Sequence, residues 1–196
     1  MSDADSGSGV SPPLAIATLG RRTLIGTSLG FAARAAEAQT DAERKRPQAG
    51  DLLVGVNNTE PTPLRPEDLV LSAGQILAWP MDPAGNVVRN GSRLNKVLLL
   101  RLDPVGLDER TRQYAADGVV AYSAICPHTG CEVVNWSAER QILECPCHNS
   151  QYDPKAGAKV VGGPSPHSLA ALPLRIADGK LAVARPFIGR LGIQQL

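Results

Sequence analysis

The chain has 196 residues, 43% hydrophobic, with a formal net charge of +1. That length suits one domain with additions. Near-neutral charge and only 4% aromatic residues give neither a basic stripe nor a stacking platform, so no nucleic-acid partner is expected.

Residues 1–13 are rich in Ser, Gly and Asp, a composition that predicts disorder. Arg21-Arg22 precede a short apolar run, Thr23 to Ala33. The pair and the run read as a twin-arginine export signal. The run is far below the ~20 residues that span a bilayer, and Arg34 interrupts it. Ala36-Glu37-Ala38 offers a small-x-small cleavage site. The expectation is a signal segment over 1–38 and a periplasmic protein, exported folded. Membrane association through an uncleaved leader is the less favoured option, because Arg34 breaks the apolar run. Residues 39–50 are charged and read as a linker.

From Asp51 the pattern turns to β. Leu52 to Val56, Leu69 to Leu71, Gln75 to Trp79, Lys96 to Leu102 and Gly118 to Ile125 read as strands. Within the Lys96–Leu102 run, Val97 to Leu100 are continuously apolar, which predicts burial on both faces. Pro80 to Arg93 carries turn formers and reads as a loop. The polar stretch 103–117 has room for a short helical turn. Glu132 to Trp136 and Gln141 to Glu144 predict a hairpin. Leu172 to Ile176 and Lys180 to Arg185 flank Asp178-Gly179, a two-residue hairpin signal. No long helical period follows residue 50. The fold class is therefore all-β, an antiparallel sandwich or partial barrel over 51–196 with a small inserted lobe at about 125–166.

All four cysteines and two of the three histidines lie in two blocks, Cys126-Pro-His128-Thr-Gly-Cys131 and Cys145-Pro-Cys147-His148-Asn-Ser150. Cysteine confined to one place signals a metal or redox centre rather than a disulfide framework. Each block supplies one cysteine and one histidine at ligand spacing, with a second cysteine left over. Cys126, His128, Cys145 and His148 form a set of two thiolates and two imidazoles. Such a set suits tetrahedral zinc or an iron–sulfur centre in which histidines serve one iron. Zinc gives the reading of a β domain without a redox role, and makes no use of the spare cysteines.

The patterns C-x-H-x-G-C and C-x-C-H-x-S resemble the two boxes of the Rieske iron–sulfur proteins, in their high-potential, disulfide-containing branch. The resemblance implies a 2Fe–2S cluster with Cys126 and Cys145 on one iron and His128 and His148 on the other. It implies a disulfide between Cys131 and Cys147, which in turn needs an oxidising compartment. It also implies that the hydroxyls of Ser150 and Tyr152 donate to cluster sulfurs and raise the potential. Histidine ligation already places such clusters at about −150 to +300 mV, against about −400 mV for plant-type ferredoxins. Gly163-Pro164-Ser165-Pro166 is similar to the proline loop that covers the cluster in respiratory Rieske subunits.

Electron transfer follows, without a catalytic site. Ring-hydroxylating oxygenases need a further two-histidine, one-carboxylate iron site, and the one remaining histidine, His167, cannot build it. Asp117 to Ser123 and Phe187 to Arg190 look like the small subunit of arsenite-oxidase-type molybdoenzymes. That gives the preferred expectation: a soluble periplasmic subunit beside a molybdoenzyme large subunit, passing electrons to a cytochrome c-type acceptor. Pro146 to Asp153 and the Gly-Pro-x-Pro loop look like the Rieske subunit of a quinol–cytochrome c reductase, with cytochrome b and c neighbours. That is the alternative.

Overall fold

One strand divides the interior in two. β4 (Val97–Arg101) sends Leu98 and Leu100 into one buried cluster and Val97 and Leu99 into another. Alternation of side chains across the pleat produces this split. Its neighbour β5 (Val119–Ser123) obeys the same parity, with Leu98 opposite Tyr122 and Leu99 opposite Ala121. The expected two-sided burial of this apolar run is present.

The computed structural model describes Glu37 and residues 39–193. The twin-arginine segment expected over 1–38 lies almost wholly outside the described residues. Among them, no helix is long and apolar enough to cross a membrane.

The main sheet has seven strands in the order β10-β11-β1-β2-β4-β5, with β3 paired to β2. These are β1 (Leu52–Gly55), β2 (Ile76–Asp82), β3 (Val87–Val88), β10 (Leu174–Ala177) and β11 (Lys180–Val183), besides β4 and β5. Every pairing is antiparallel, and β1 joins the C-terminal hairpin at Leu52↔Ala182. The predicted turn at Asp178-Gly179 is there. Both residues have positive φ, 48° and 73°, as a two-residue hairpin turn demands. Just before β10, Leu172 N–H donates to Ala121 C=O and Ser123 N–H donates to Ala170 C=O. The chain entering one edge strand thus runs along the other edge strand, and the sheet curls into a partial barrel.

A second sheet, β6-β7-β8-β9, spans β6 (Asn135–Ser137), β7 (Ile142–Glu144), β8 (Gln151–Asp153) and β9 (Lys159–Gly162). It is the inserted lobe. The buried phenol of Tyr122 donates to Pro154 C=O at 2.7 Å, and the Trp136 indole N–H donates to Ser72 C=O. Those bonds and the shared apolar cluster fasten the lobe to the main sheet.

Three expectations need correction. Leu69 to Leu71 is not a strand: it follows a 3₁₀ turn at Pro66–Asp68, and Val70 and Leu71 are exposed. Pro80 to Asp82 belongs to β2 rather than to a loop. β4 pairs with β2 only as far as Ala78, and β3 pairs with β2 only from Met81 onward. Arg89 N–H bonds the Pro80 carbonyl, so the proline nitrogen faces that same edge, where no strand residue pairs with it. Residues 151–162, to which the sequence assigned no element, form two strands.

The third correction concerns residues 39–50, which dock on the domain instead of acting only as a linker. Residues 39–44 are helical and Pro47 is buried. Arg89 and Asp51 form a buried ion pair at 2.6 Å, and Arg89 also donates to Ala42 C=O. Asn95, wholly buried, donates to the carbonyls of Lys45 and Arg89 and accepts from Arg46. Charged composition alone did not disclose these partners, which lie more than forty positions away in sequence for most of these bonds.

Candidate metal centre

Two loops carry the site, and their backbones share one hydrogen-bond pattern. β5 leads into the first and β7 into the second. In the first, Cys126 N–H donates to Cys131 C=O, and Gly130 N–H donates to Cys126 C=O. In the second, Cys145 N–H donates to Ser150 C=O, and Asn149 N–H donates to Cys145 C=O. Gly130 and Asn149 hold the equivalent left-handed position, with φ of 78° and 55°. Glycine and asparagine are the residues that tolerate it. Each loop therefore curls its cysteine inward and leaves its fourth position as the turn.

The thiols of Cys126 and Cys145 are free and buried, whereas His128 is half-buried and His148 is exposed. The two rings meet edge to face, with centroids 4.7 Å apart. Cys131 and Cys147 are joined by a disulfide across the two loops. Burial raises the Cys145 thiol above its ordinary value, and the neighbouring Cys126 adds to the rise.

Tyr152, on β8, is fully buried, and its hydroxyl lies 3.1 Å from Cys126 Sγ. Burial first and Cys126 second push that phenol well above its usual value, so it stays a protonated donor. Ser150 is fully buried. Its Oγ has no hydrogen-bond partner among the described residues, and neither does the buried His128 Nδ1. Thus all eight residues singled out in the sequence fall on these two loops and on β8.

Sequence reasoning passed over how the proline loop seats. Gly163 has φ of 79°, and a Cβ there would stand 2.4 Å from Asn149 O and 2.6 Å from Ser150 Cα. No side chain fits between the loop and the second block. The glycine itself was the available signal. Arg93 also escaped notice: its guanidinium donates to Gly130 C=O.

The donor set fits a Rieske cluster. An unpartnered buried imidazole nitrogen and an unpartnered buried hydroxyl are costly unless something takes up their lone pairs and protons, and the two buried thiols of the set are free. A single zinc would draw four donors to about 2.0–2.3 Å from one point. Among the described residues, the only three His, Cys or carboxylate groups with donor atoms within 4.8 Å of one another are Cys131, Cys145 and Cys147. Two of these are spent in the disulfide. The thiol and imidazole donors are therefore spread more widely than one tetrahedral ion needs, as a two-iron group requires.

Comparison with known proteins agrees. The model of the Rieske [2Fe-2S] domain matches residues 96–173. The cytochrome bc1 complex Rieske iron-sulfur subunit of Streptomyces lividans is 34% identical over 135 residues, covering 66% of this chain and 76% of the relative. The cytochrome b6-f complex iron-sulfur subunit of Synechococcus elongatus is 47% identical over 66 residues, 34% of this chain and 35% of the relative. The soluble domain of Rieske protein II from Sulfolobus acidocaldarius has 23% identity and a TM-score of 0.39, over 51% of this chain and 67% of that one. At that score the likeness carries no argument. These relatives favour the quinol–cytochrome c reductase alternative over the arsenite-oxidase-type subunit preferred from sequence. With its paired cysteine–histidine loops and with a relative matched over three quarters of its length, the chain belongs to the Rieske iron–sulfur protein family and is an electron-transfer protein with a 2Fe–2S cluster.

Proposed function

We propose that this chain is the Rieske subunit of a cytochrome bc-type complex, taking electrons from a quinol and delivering them to a c-type cytochrome. The observation that carries this reading is the split in exposure across the site. Cys126 and Cys145 are buried, while His148 is exposed and His128 lies beside it. Cys126 and Cys145 would hold one iron of the cluster, and His128 and His148 the other. When bound, the cluster takes up one electron and returns it. His148 is exposed, so a docked partner can reach it. Tyr152 donates its hydroxyl hydrogen to Cys126 Sγ, and Ser150 Oγ, free of other partners, supplies a second donor. Both favour the electron-rich state, so both raise the potential. The disulfide locks the two loops in register.

Export by the twin-arginine route is part of the proposal, supported by Arg21-Arg22 and the short apolar run after them. A protein that binds its cluster before export needs a route that accepts folded cargo. Replacing the arginine pair by lysines should hold the protein in the cytoplasm. Undiminished export of that variant would remove this part.

The test of the partner is native purification with assays for iron, haem and molybdenum, and paramagnetic resonance of the reduced fractions. Iron eluting with haem b after detergent supports the reading. Iron eluting with molybdenum in the absence of detergent would restore the molybdoenzyme subunit in its place.

A further inference from the structure

The 3₁₀ turn Arg93–Asn95 grips the first site loop on both sides of Cys131. Arg93 donates to the carbonyl of Gly130. Lys96, at the end of the same turn, pairs with Glu132 at 2.6 Å. The turn is itself anchored. Asn95 is wholly buried, donates to the Arg89 and Lys45 carbonyls and accepts from Arg46. The turn is therefore a fixed support and not a mobile surface loop.

Gly130 is held through both of its peptide groups. Its N–H points inward to Cys126 C=O, and its carbonyl points outward to Arg93. A trans peptide sets its C=O and the following N–H on opposite sides. With the Gly130 carbonyl turned out to Arg93, the Cys131 N–H is turned away from Arg93 and into the loop. Left-handed glycine can flip such a peptide at little cost. The guanidinium removes that freedom, because a charge-assisted bond is among the stronger ones available to a carbonyl.

We propose that Arg93 is a positioning residue for electron transfer: by fixing the Gly130–Cys131 peptide it directs a backbone donor into the site and raises the cluster's reduction potential. This rests on the assignment of the two blocks as cluster-holding loops. Hydrogen bonds toward the cluster sulfurs stabilise the reduced form, and a peptide free to flip supplies them for only part of the time. Arg93 touches neither iron nor partner in this scheme and acts only through the peptide.

The test compares the full chain with Arg93→Gln and Arg93→Lys. In the metal-free proteins, amide exchange is followed at Gly130, whose N–H bonds Cys126 C=O. Arg93→Gln should speed it about tenfold, the loss of one charge-assisted bond, and Arg93→Lys should restore part of the protection. In the iron-loaded proteins, redox titration should show a lower midpoint for Arg93→Gln and an intermediate one for Arg93→Lys. Ile193→Ala serves as the contrast. Ile193 also packs against Gly130, where a Cβ would stand 3.2 Å from its Cδ1; this variant removes a neighbour of Gly130 while leaving the guanidinium bond in place, and so should not move the midpoint. An Arg93→Gln midpoint equal to the wild type, in a protein that shows the reduced-state paramagnetic signal, would overturn the inference alone. A wild type that never shows that signal would overturn the cluster assignment and this inference together.

Discussion

The hydroxyl of Tyr152 stands 3.1 Å from the sulfur of Cys126, and both groups are buried. The contact joins β8 of the small lobe to the loop that leaves β5 of the large sheet. It is therefore at once a bond to a ligand sulfur and a bond between the two halves of the domain. Tyr152→Phe should lower the midpoint potential by about 40 mV, taking ~1 kcal/mol for the bond and one electron. Ser150→Ala should add to the fall. Redox titration of the single and double variants checks this, and an unmoved double variant would remove both residues from the tuning set.

The disulfide closes a loop with a sequence separation of 16 between its cysteines. The chain-entropy model gives ~3 kcal/mol for a loop of about that size. Replacing Cys131 and Cys147 together by alanine should lower the melting temperature of the metal-free protein by roughly 6–12 °C, the shift that energy makes in a domain of about 150 residues. Iron retention should fall with it, since nothing else covalent holds the loops together. Calorimetry and iron analysis of the same samples give both readouts.

Gly163→Ala meets two obstacles, a left-handed φ and the backbone of Asn149 and Ser150. The strained conformation alone costs about 1–3 kcal/mol. The proline loop should lift from the second block, exposing Ser150. Faster loss of iron to a chelator is the expected sign, measured against Ser165→Ala, which leaves the glycine in place.

Arg89 and Asp51 are 4% and 3% exposed, so removing one strands the other. Arg89→Met should cost about 3–5 kcal/mol and free residues 39–46, whose carbonyl at Ala42 it also binds. Limited proteolysis should then cut within 39–46 before the rest of the domain. Resistance equal to the wild type would mean that Asn95 holds the segment unaided.

Asp108 caps the short helix Glu109–Tyr114 by accepting from Thr111 N–H at 2.7 Å. The Thr111 hydrogen bonds, with lesser help from Lys159 and Arg110, set its carboxyl below the usual value, against the pull of its desolvation. A depressed folded value means that the stabilisation is complete above the unfolded value of about 3.9. It is lost as pH falls through the lower folded value. Asp108 is exposed, so the effect is small. Asp108→Ala should cost about 1 kcal/mol near neutral pH, and the difference from wild type should close in strong acid. Denaturant titrations across pH would show whether it does.

Much of this was legible in the chain because its signals are local. The apolar run 97–100, the Asp178-Gly179 turn and the two cysteine–histidine blocks each declare themselves within a few residues. The illegible parts depend on partners distant in sequence. β8 and β9 are short, and their pairing brings Tyr152 opposite Leu143 and Val160, which no local alternation announces. Pro80 argues against a strand unless one knows that its nitrogen faces a gap between two neighbours. Residues 39–46 look like a solvated tether until Arg89 and Asn95 arrive from more than forty positions away. The proline loop was recognisable, but the reason for its glycine was the backbone of another loop.

The parity of β4 has a consequence for how the domain would record its own history. Leu98 and Leu100 share a cluster with Cys126, Cys145 and Tyr152, while Leu99 shares one with Leu53, Leu172 and Leu181. Adjacent codons therefore answer to separate masters. Drift at the even positions is disciplined by the redox centre, and drift at the odd ones only by the barrel that carries it. A lineage that gave up its iron should lose constraint at 98 and 100 first and keep 97 and 99 long afterward, leaving a sheet that still folds around an abandoned trade.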